Sequence, residues 1–168
     1  MARGCFNPLK TFEIITSSNL ETERAGERLA PLLRAGDVIA FYGDLGAGKT
    51  TFVKGLAKGM GASQLVSSPT FVIMHIYEGR LPVYHFDAYR LQGVDELINI
   101  GAEEYIGTDG VACIEWSEKV ESLLPVDCLR LELSYCGSEE RKLTFKALQG
   151  RGLEIIEALE DDSQEDRD

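Results

Sequence analysis

Residues 37–61 read DVIAFYGDLGAGKTTFVKGLAKGMG, and no other stretch limits the fold as strongly. Asp37–Gly43 is almost unbroken apolar chain, the pattern of a strand buried on both faces of a parallel sheet. Gly43-Asp44-Leu45-Gly46-Ala47-Gly48-Lys49-Thr50 then satisfies the pattern G-x-x-x-x-G-K-[ST]. A helix is expected next, from about Lys49 to Met60, stopped by Gly61. Strand, glycine-rich loop and helix in this order open a βαβ unit.

The loop has a chemical meaning. A polyphosphate is dense negative charge and needs many donors at close range. Main-chain N–H groups supply them only where the chain wraps the anion, in conformations easiest for glycine. Gly43, Gly46 and Gly48 meet that need, and the N-terminus of the following helix aims its positive end at the same spot. Lys49 is expected to bridge the β- and γ-phosphates, and the Thr50 hydroxyl to hold Mg²⁺. Asp44, Leu45, Ala47 and Thr51 complete the wrap. An acid should complete the metal shell from the end of a buried strand. Asp87 ends one such run and Glu115 another, and the residues alone do not rank them. The guanine signature Asn/Thr-Lys-x-Asp is absent from the sequence, which favours adenine and so ATP.

Charge narrows the partners. The net charge is −11. More than half of it lies in the last twelve residues, EALEDDSQEDRD, which hold seven acids and one arginine. Residues 157–168 are therefore expected to be an acidic, disordered tail after a single domain over residues 1–156. An acidic body repels phosphate backbones, so large-area nucleic-acid binding by this chain alone is not expected. No apolar run approaches the length of a membrane span, and the N-terminus lacks a secretory apolar stretch. Cys5, Cys113, Cys128 and Cys136 show no metal spacing and read as reduced thiols of a cytoplasmic protein.

Around the loop, Thr11–Thr16 reads as a strand. Ser18-Asn19-Leu20-Glu21 fits a capping box opening a helix over about Leu20–Leu33, which Pro31 ends early. Phe71–Tyr77 and Leu81–Phe86 are β-rich around a turn at Glu78-Gly79. Val94–Ile106 reads as one or two short helices, Val111–Ile114 as a buried strand, and Ser117–Leu124 as a helix closed by Pro125. CLRLELSY and RKLTFKAL alternate like antiparallel, half-exposed strands. A last helix is expected over about Gly152–Glu160. The fold class is α/β: a P-loop NTPase-like sandwich whose mixed sheet has a parallel centre and antiparallel edge strands. His75 and His85 sit in strand patterns and read as packed or hydrogen-bonded residues, not catalytic ones.

Four motifs in order, GDLGAGKTTF, SPTF, HFDAYRL and EW, resemble the bacterial TsaE (YjeE) family over about Thr16–Tyr135. The resemblance implies a small ATPase required for threonylcarbamoyladenosine in tRNA. It would work with TsaD and TsaB and reset that complex without transferring the group itself. It also implies roles. Thr50 and Glu115 would bind Mg²⁺. Asp87 would be the second catalytic acid, beside the γ-phosphate and its attacking water. Ser68, Pro69 and Thr70 would form a γ-phosphate-sensing switch. Trp116 would lie beside the nucleotide, and Asn19 would border the adenine. The sequence departs at His75, often an acidic or polar position, and at Ala88, often leucine.

Two other functions fit parts of the pattern. One is a small-molecule, nucleoside-type kinase, since Asp-x-Tyr-Arg follows a strand. Such kinases carry an arginine-rich helical lid late in the chain, where this sequence instead alternates like a strand. The other is a nucleotide-gated interaction module in which hydrolysis hardly matters. Arg90 has two open roles, a positive charge for the transition state or a structural ion pair. No arginine finger is evident, so slow intrinsic turnover stimulated by partners is expected.

Overall fold

The computed structural model describes residues 8–166. Cys5 and the last two residues of the acidic segment lie outside that range. The strands are β1 (Lys10–Thr16), β2 (Val38–Tyr42), β3 (Met74–Tyr77), β4 (Val83–Asp87), β5 (Val111–Glu115), β6 (Leu129–Tyr135) and β7 (Arg141–Ala147). They form one sheet in the order β1-β7-β6-β2-β5-β4-β3. Strands β6, β2, β5 and β4 run parallel, while β1/β7, β7/β6 and β4/β3 pair antiparallel. The centre is parallel and the edges antiparallel, as the sequence pattern indicated.

Each central strand feeds two cores. On β2, Ile39 and Phe41 face one cluster while Val38 and Ala40 face the other, the period of two expected of a pleated strand. Helices α1 (Asn19–Leu29), α2 (Lys49–Gly59) and α4 (Gly150–Glu165) cover the first face; α3 (Val94–Asn99) and short turns cover the second. Among the described residues, Cys113, Cys128 and Cys136 are free thiols. Burial pushes the Cys113 and Cys128 thiols up, which suits packing, not reactivity. No helix among the described residues is long and apolar enough to cross a membrane.

The cap of α1 forms as its residues suggest, with one shift. Ser18 Oγ accepts from the Glu21 amide at 3.2 Å, while Glu21 Oε2 accepts from the Ser17 amide at 2.6 Å, one residue before the cap. Pro31 ends α1 and sits in a 3₁₀ turn over Ala30–Leu32. Helices α1 and α2 then touch through glycine. A β-carbon on Gly26 would lie 2.2 Å from the Phe52 carbonyl oxygen, and one on Gly55 would lie 1.7 Å from that of Glu23. The helix tolerates Gly55, a poor helix former, because only a bare Cα lets the backbones approach this closely.

Three expectations are corrected. Ser117–Leu124 is not an α-helix; it is two 3₁₀ turns, Ser117–Lys119 and Glu121–Leu123. Ser117 Oγ donates back to the Ile114 carbonyl at 2.6 Å, and Val120 at φ −134° interrupts the helical path. The strand expected from Phe71 begins only at Met74, because Ile73 turns into the left-handed region at φ 70°. The acidic segment from residue 157 is helical through Glu165, not frayed. Ile155, Ile156 and Leu159 bury its inner face. Its acids meet cations of earlier elements: Glu160 with Lys10 at 2.9 Å, and Asp162 and Asp166 with Arg28, each at 2.8 Å.

Candidate functional site

The carboxyl ends of parallel strands form the ligand crevice of open α/β sheets, and here three of them converge. Tyr42 ends β2 and leads into the glycine loop, Glu115 ends β5, and Asp87 ends β4. Asp87 and Glu115 are register partners on adjacent strands. Gly43, Gly46 and Gly48 all take positive φ, at 139°, 79° and 107°, as a loop wrapping an anion requires. Helix α2 starts at Lys49, directly after Gly48.

Of the expected site residues, Asn19, Leu45–Thr51, Ser68, Thr70, Asp87, Glu115 and Trp116 line one cavity of about 430 Å³. Asp44 and Pro69 do not line it. Asp44 contributes its carbonyl, which accepts from Lys49 Nζ at 3.1 Å. Pro69 is buried under the loop, and its carbonyl accepts from the Ile73 amide at 2.6 Å.

Lys49 is buried, donates also to the Gly43 carbonyl, and lies 4.0 Å from the centre of the Trp116 ring. Burial holds its ammonium below the usual lysine range, against the opposing pull of Glu115 and other acids nearby. Its partners here are two carbonyls and a π-face, none carrying a full negative charge. Such a cation gains from any anion entering the loop.

The two acids have separate surroundings. Glu115, 3% exposed, accepts from Thr50 Oγ1 at 2.8 Å through Oε1. Asp87, 2% exposed, accepts through Oδ2 from Ser68 Oγ at 2.7 Å and Thr70 Oγ1 at 2.9 Å, and through Oδ1 from the Tyr89 amide at 2.8 Å. The SPTF loop and the β4 acid are thus tied to one another. Thr50 and Glu115 form a pair of hard oxygen donors at the loop. Among the described residues no cluster of three or more His, Cys, Asp or Glu side chains could hold a metal by itself. A two-oxygen site of this kind suits Mg²⁺, which keeps waters and takes its other ligands from phosphates.

Trp116 adopts a left-handed conformation, φ 58° and ψ 44°. Its ring packs 4.9 Å from that of Tyr89. The strain keeps an indole between Lys49 and Tyr89, at the cavity wall. Arg90 points elsewhere: it is exposed, lies 4.9 Å over the Phe71 ring, and makes no ion pair among the described residues. Sequence reading missed Tyr135 and Arg141. Tyr135 Oη donates to the Gly46 carbonyl at 2.8 Å, and Arg141 covers the Tyr135 ring at 3.9 Å and lines the cavity. Only the pairing of β7 with β6, and β6 with β2, brings them to the loop.

Comparison with known proteins gives a consistent result. The family of threonylcarbamoyl adenosine biosynthesis protein TsaE matches residues 16–143. The tRNA threonylcarbamoyladenosine biosynthesis protein TsaE of Bacillus subtilis is 41% identical over 140 residues, covering 83% of this chain and 87% of the relative. The protein of the same name from Treponema pallidum is 41% identical over 130 residues, covering 77% and 96%. The crystal structure of Bacillus subtilis YdiB superposes with a TM-score of 0.80 at 36% identity, covering 92% of this chain and 97% of that one. Its likeness extends past the four motifs to the whole mixed sheet. The chain therefore belongs to the TsaE family, which serves threonylcarbamoyladenosine biosynthesis in tRNA.

Proposed function

We propose that this chain is a P-loop ATP hydrolase whose turnover supports or resets a TsaD–TsaB complex during tRNA modification in the cytoplasm. The threonylcarbamoyl group itself is transferred by the partners, and tRNA is held mainly by them. One juxtaposition supports this reading above all. A lysine at a helix start, a Thr50–Glu115 oxygen pair 2.8 Å apart and an Asp87 held by two hydroxyls share one cavity.

In this mechanism Gly46–Thr50 present main-chain N–H groups to the phosphates. Lys49 exchanges the Gly43 and Asp44 carbonyls for the β- and γ-phosphates, gaining a full counter-charge for a buried ammonium. Thr50 and Glu115 would hold Mg²⁺, which when bound neutralises the charge on the phosphates. Asp87 accepts a hydrogen from water and orients it toward the γ-phosphate. Ser68 and Thr70, which donate to Asp87 in this structure, are placed to report whether that phosphate is present. Asn19 and Arg141 also line the cavity, and Asn19 is the residue assigned to border the adenine. Arg90 is directed onto Phe71 and does not line the cavity, so it is not placed as a transition-state finger, consistent with slow intrinsic turnover.

The arginine-rich helical lid that the kinase alternative calls for is not seen among the described residues. The late segment is β6 and β7, paired antiparallel from Arg130–Lys146 to Tyr135–Arg141. The test is phosphate release from ATP with and without TsaD and TsaB, beside modification of tRNA with this chain present or omitted. Stimulated release to water and modification that depends on this chain are expected. Phosphate appearing on a nucleoside would establish the kinase instead.

A further inference from the structure

His85 has no exposed surface and does not line the cavity, yet both its ring nitrogens are engaged. It lies on β4 two residues before Asp87, on the same face of the sheet. Nε2 is 2.7 Å from Glu115 Oε1, and Nδ1 is 3.1 Å from Tyr77 Oη on β3. Tyr77 is 2% exposed, and its hydroxyl donates to the Ser67 carbonyl at 3.1 Å. Ser67 directly precedes the SPTF loop.

Counting donors fixes much of this chain. An ionised carboxylate only accepts, so Nε2 carries the hydrogen it shares with Glu115. Glu115 Oε1 thus receives two donors, Thr50 Oγ1 and His85 Nε2, while Oε2 receives none among the described residues. A carboxylate held by one oxygen keeps the other available. Tyr77 carries one hydroxyl hydrogen, which goes to the Ser67 carbonyl, while its oxygen also lies 3.1 Å from His85 Nδ1 and 3.3 Å from His75 Nδ1. Donation of that hydrogen to His85 Nδ1 in place of the Ser67 carbonyl would fix the Nε2–H tautomer.

We propose that His85 is a positioning residue that pins Glu115 Oε1 so that Oε2 meets the divalent cation, and that Tyr77 couples this pin to the main chain of the SPTF loop. The inference rests on the reading of Glu115 as a cation ligand. Ligand-orienting partners of this kind commonly change metal affinity by about 10- to 100-fold when removed.

The test is calorimetric binding of ADP in Mg²⁺ and in EDTA, with thermal melting as a control for folding. His85→Leu is expected to keep the EDTA affinity and lose roughly 10-fold or more of the magnesium-dependent gain. His85→Gln, whose amide can donate to Glu115, should recover most of that gain. Tyr77→Phe should lose less than His85→Leu. In the unmodified protein, ¹⁵N ring shifts of His85 should report the Nε2–H tautomer. That measurement decides the matter even where His85→Leu does not fold; an Nδ1–H ring overturns the proposal. A full magnesium gain in folded His85→Leu, with a normal gain in the unmodified chain, overturns this inference alone. No magnesium gain in the unmodified chain overturns the cation reading of Glu115, and this inference with it.

Discussion

Thr50 Oγ1 donates to Glu115 Oε1 at 2.8 Å, joining the first turn of α2 to the end of β5. The contact spans 65 residues of sequence. It exists because β2 and β5 are parallel neighbours, so the helix that follows one strand starts beside the end of the other.

Removing either side of that pair should separate metal from nucleotide. Glu115→Ala is expected to leave ADP affinity in EDTA near normal and weaken it in Mg²⁺ by about 10-fold or more, the scale of a lost charge-assisted contact. A magnesium titration of both proteins measures this. An unaltered titration would assign the cation to Asp87, the acid beside it in register.

Lys49 should show opposite effects on function and on the empty fold. Its ammonium is buried against carbonyls and the Trp116 ring, without a direct carboxylate contact. Lys49→Met keeps most of the stem and removes the buried charge. Turnover is expected to fall by about 100- to 1,000-fold, as for other donors aimed at developing charge. The melting temperature without nucleotide should hold or rise, because an ion is no longer held out of water. Retained ATP turnover would remove the P-loop claim.

Local chemistry explains which features could be read in advance. The glycine loop, its flanking strand and helix, and the alternating β6 and β7 are signalled within ten or so residues each. The Tyr135 and Arg141 contacts are not, since strand order alone carries them to Gly46. His85 was legible as a hydrogen-bonded residue, but its partner Glu115 follows only from the β4–β5 register. Composition misled at the C-terminus: seven acids suggest repulsion and fraying, whereas Lys10 and Arg28 meet four of them on the folded surface. Ser117–Leu124 has helical composition, yet a hydroxyl bond to Ile114 and the packing beneath β5 favour tighter turns.

The α1–α2 contact gives a stability test remote from the chemistry. A methyl group on Gly55 would overlap main-chain atoms of Glu23, the nearest at 1.7 Å, and neither backbone can yield without moving a helix. Gly55→Ala is expected to destabilise by about 2–3 kcal/mol or more, despite alanine's better helix propensity. Urea unfolding measures it. A neutral or stabilising result would show that the two helices separate more easily than this packing allows. Because α2 carries Lys49 and Thr50 at its start, nucleotide affinity should weaken in the same variant.

Acid pH should release a brace behind the loop. Glu121 accepts from both Arg130 amino groups at 3.0 Å and from Tyr42 Oη at 2.5 Å, and Tyr42 directly precedes Gly43. Arg130 foremost, with Tyr42, holds the Glu121 carboxyl below its ordinary value of 4.5. A carboxyl depressed on folding stabilises fully above its unfolded value, and that share is lost as pH falls through the lower, folded value. Both side chains are partly exposed, so the share is at most about 1 kcal/mol. Glu121→Gln should therefore unfold at lower urea than the unmodified chain at pH 7. The gap should narrow below about pH 4.5 and close once pH has fallen through the lower, folded value, where both proteins present an uncharged group. A gap that stays constant across this range would mean that shape and hydrogen bonding, not charge, secure Glu121 to Arg130.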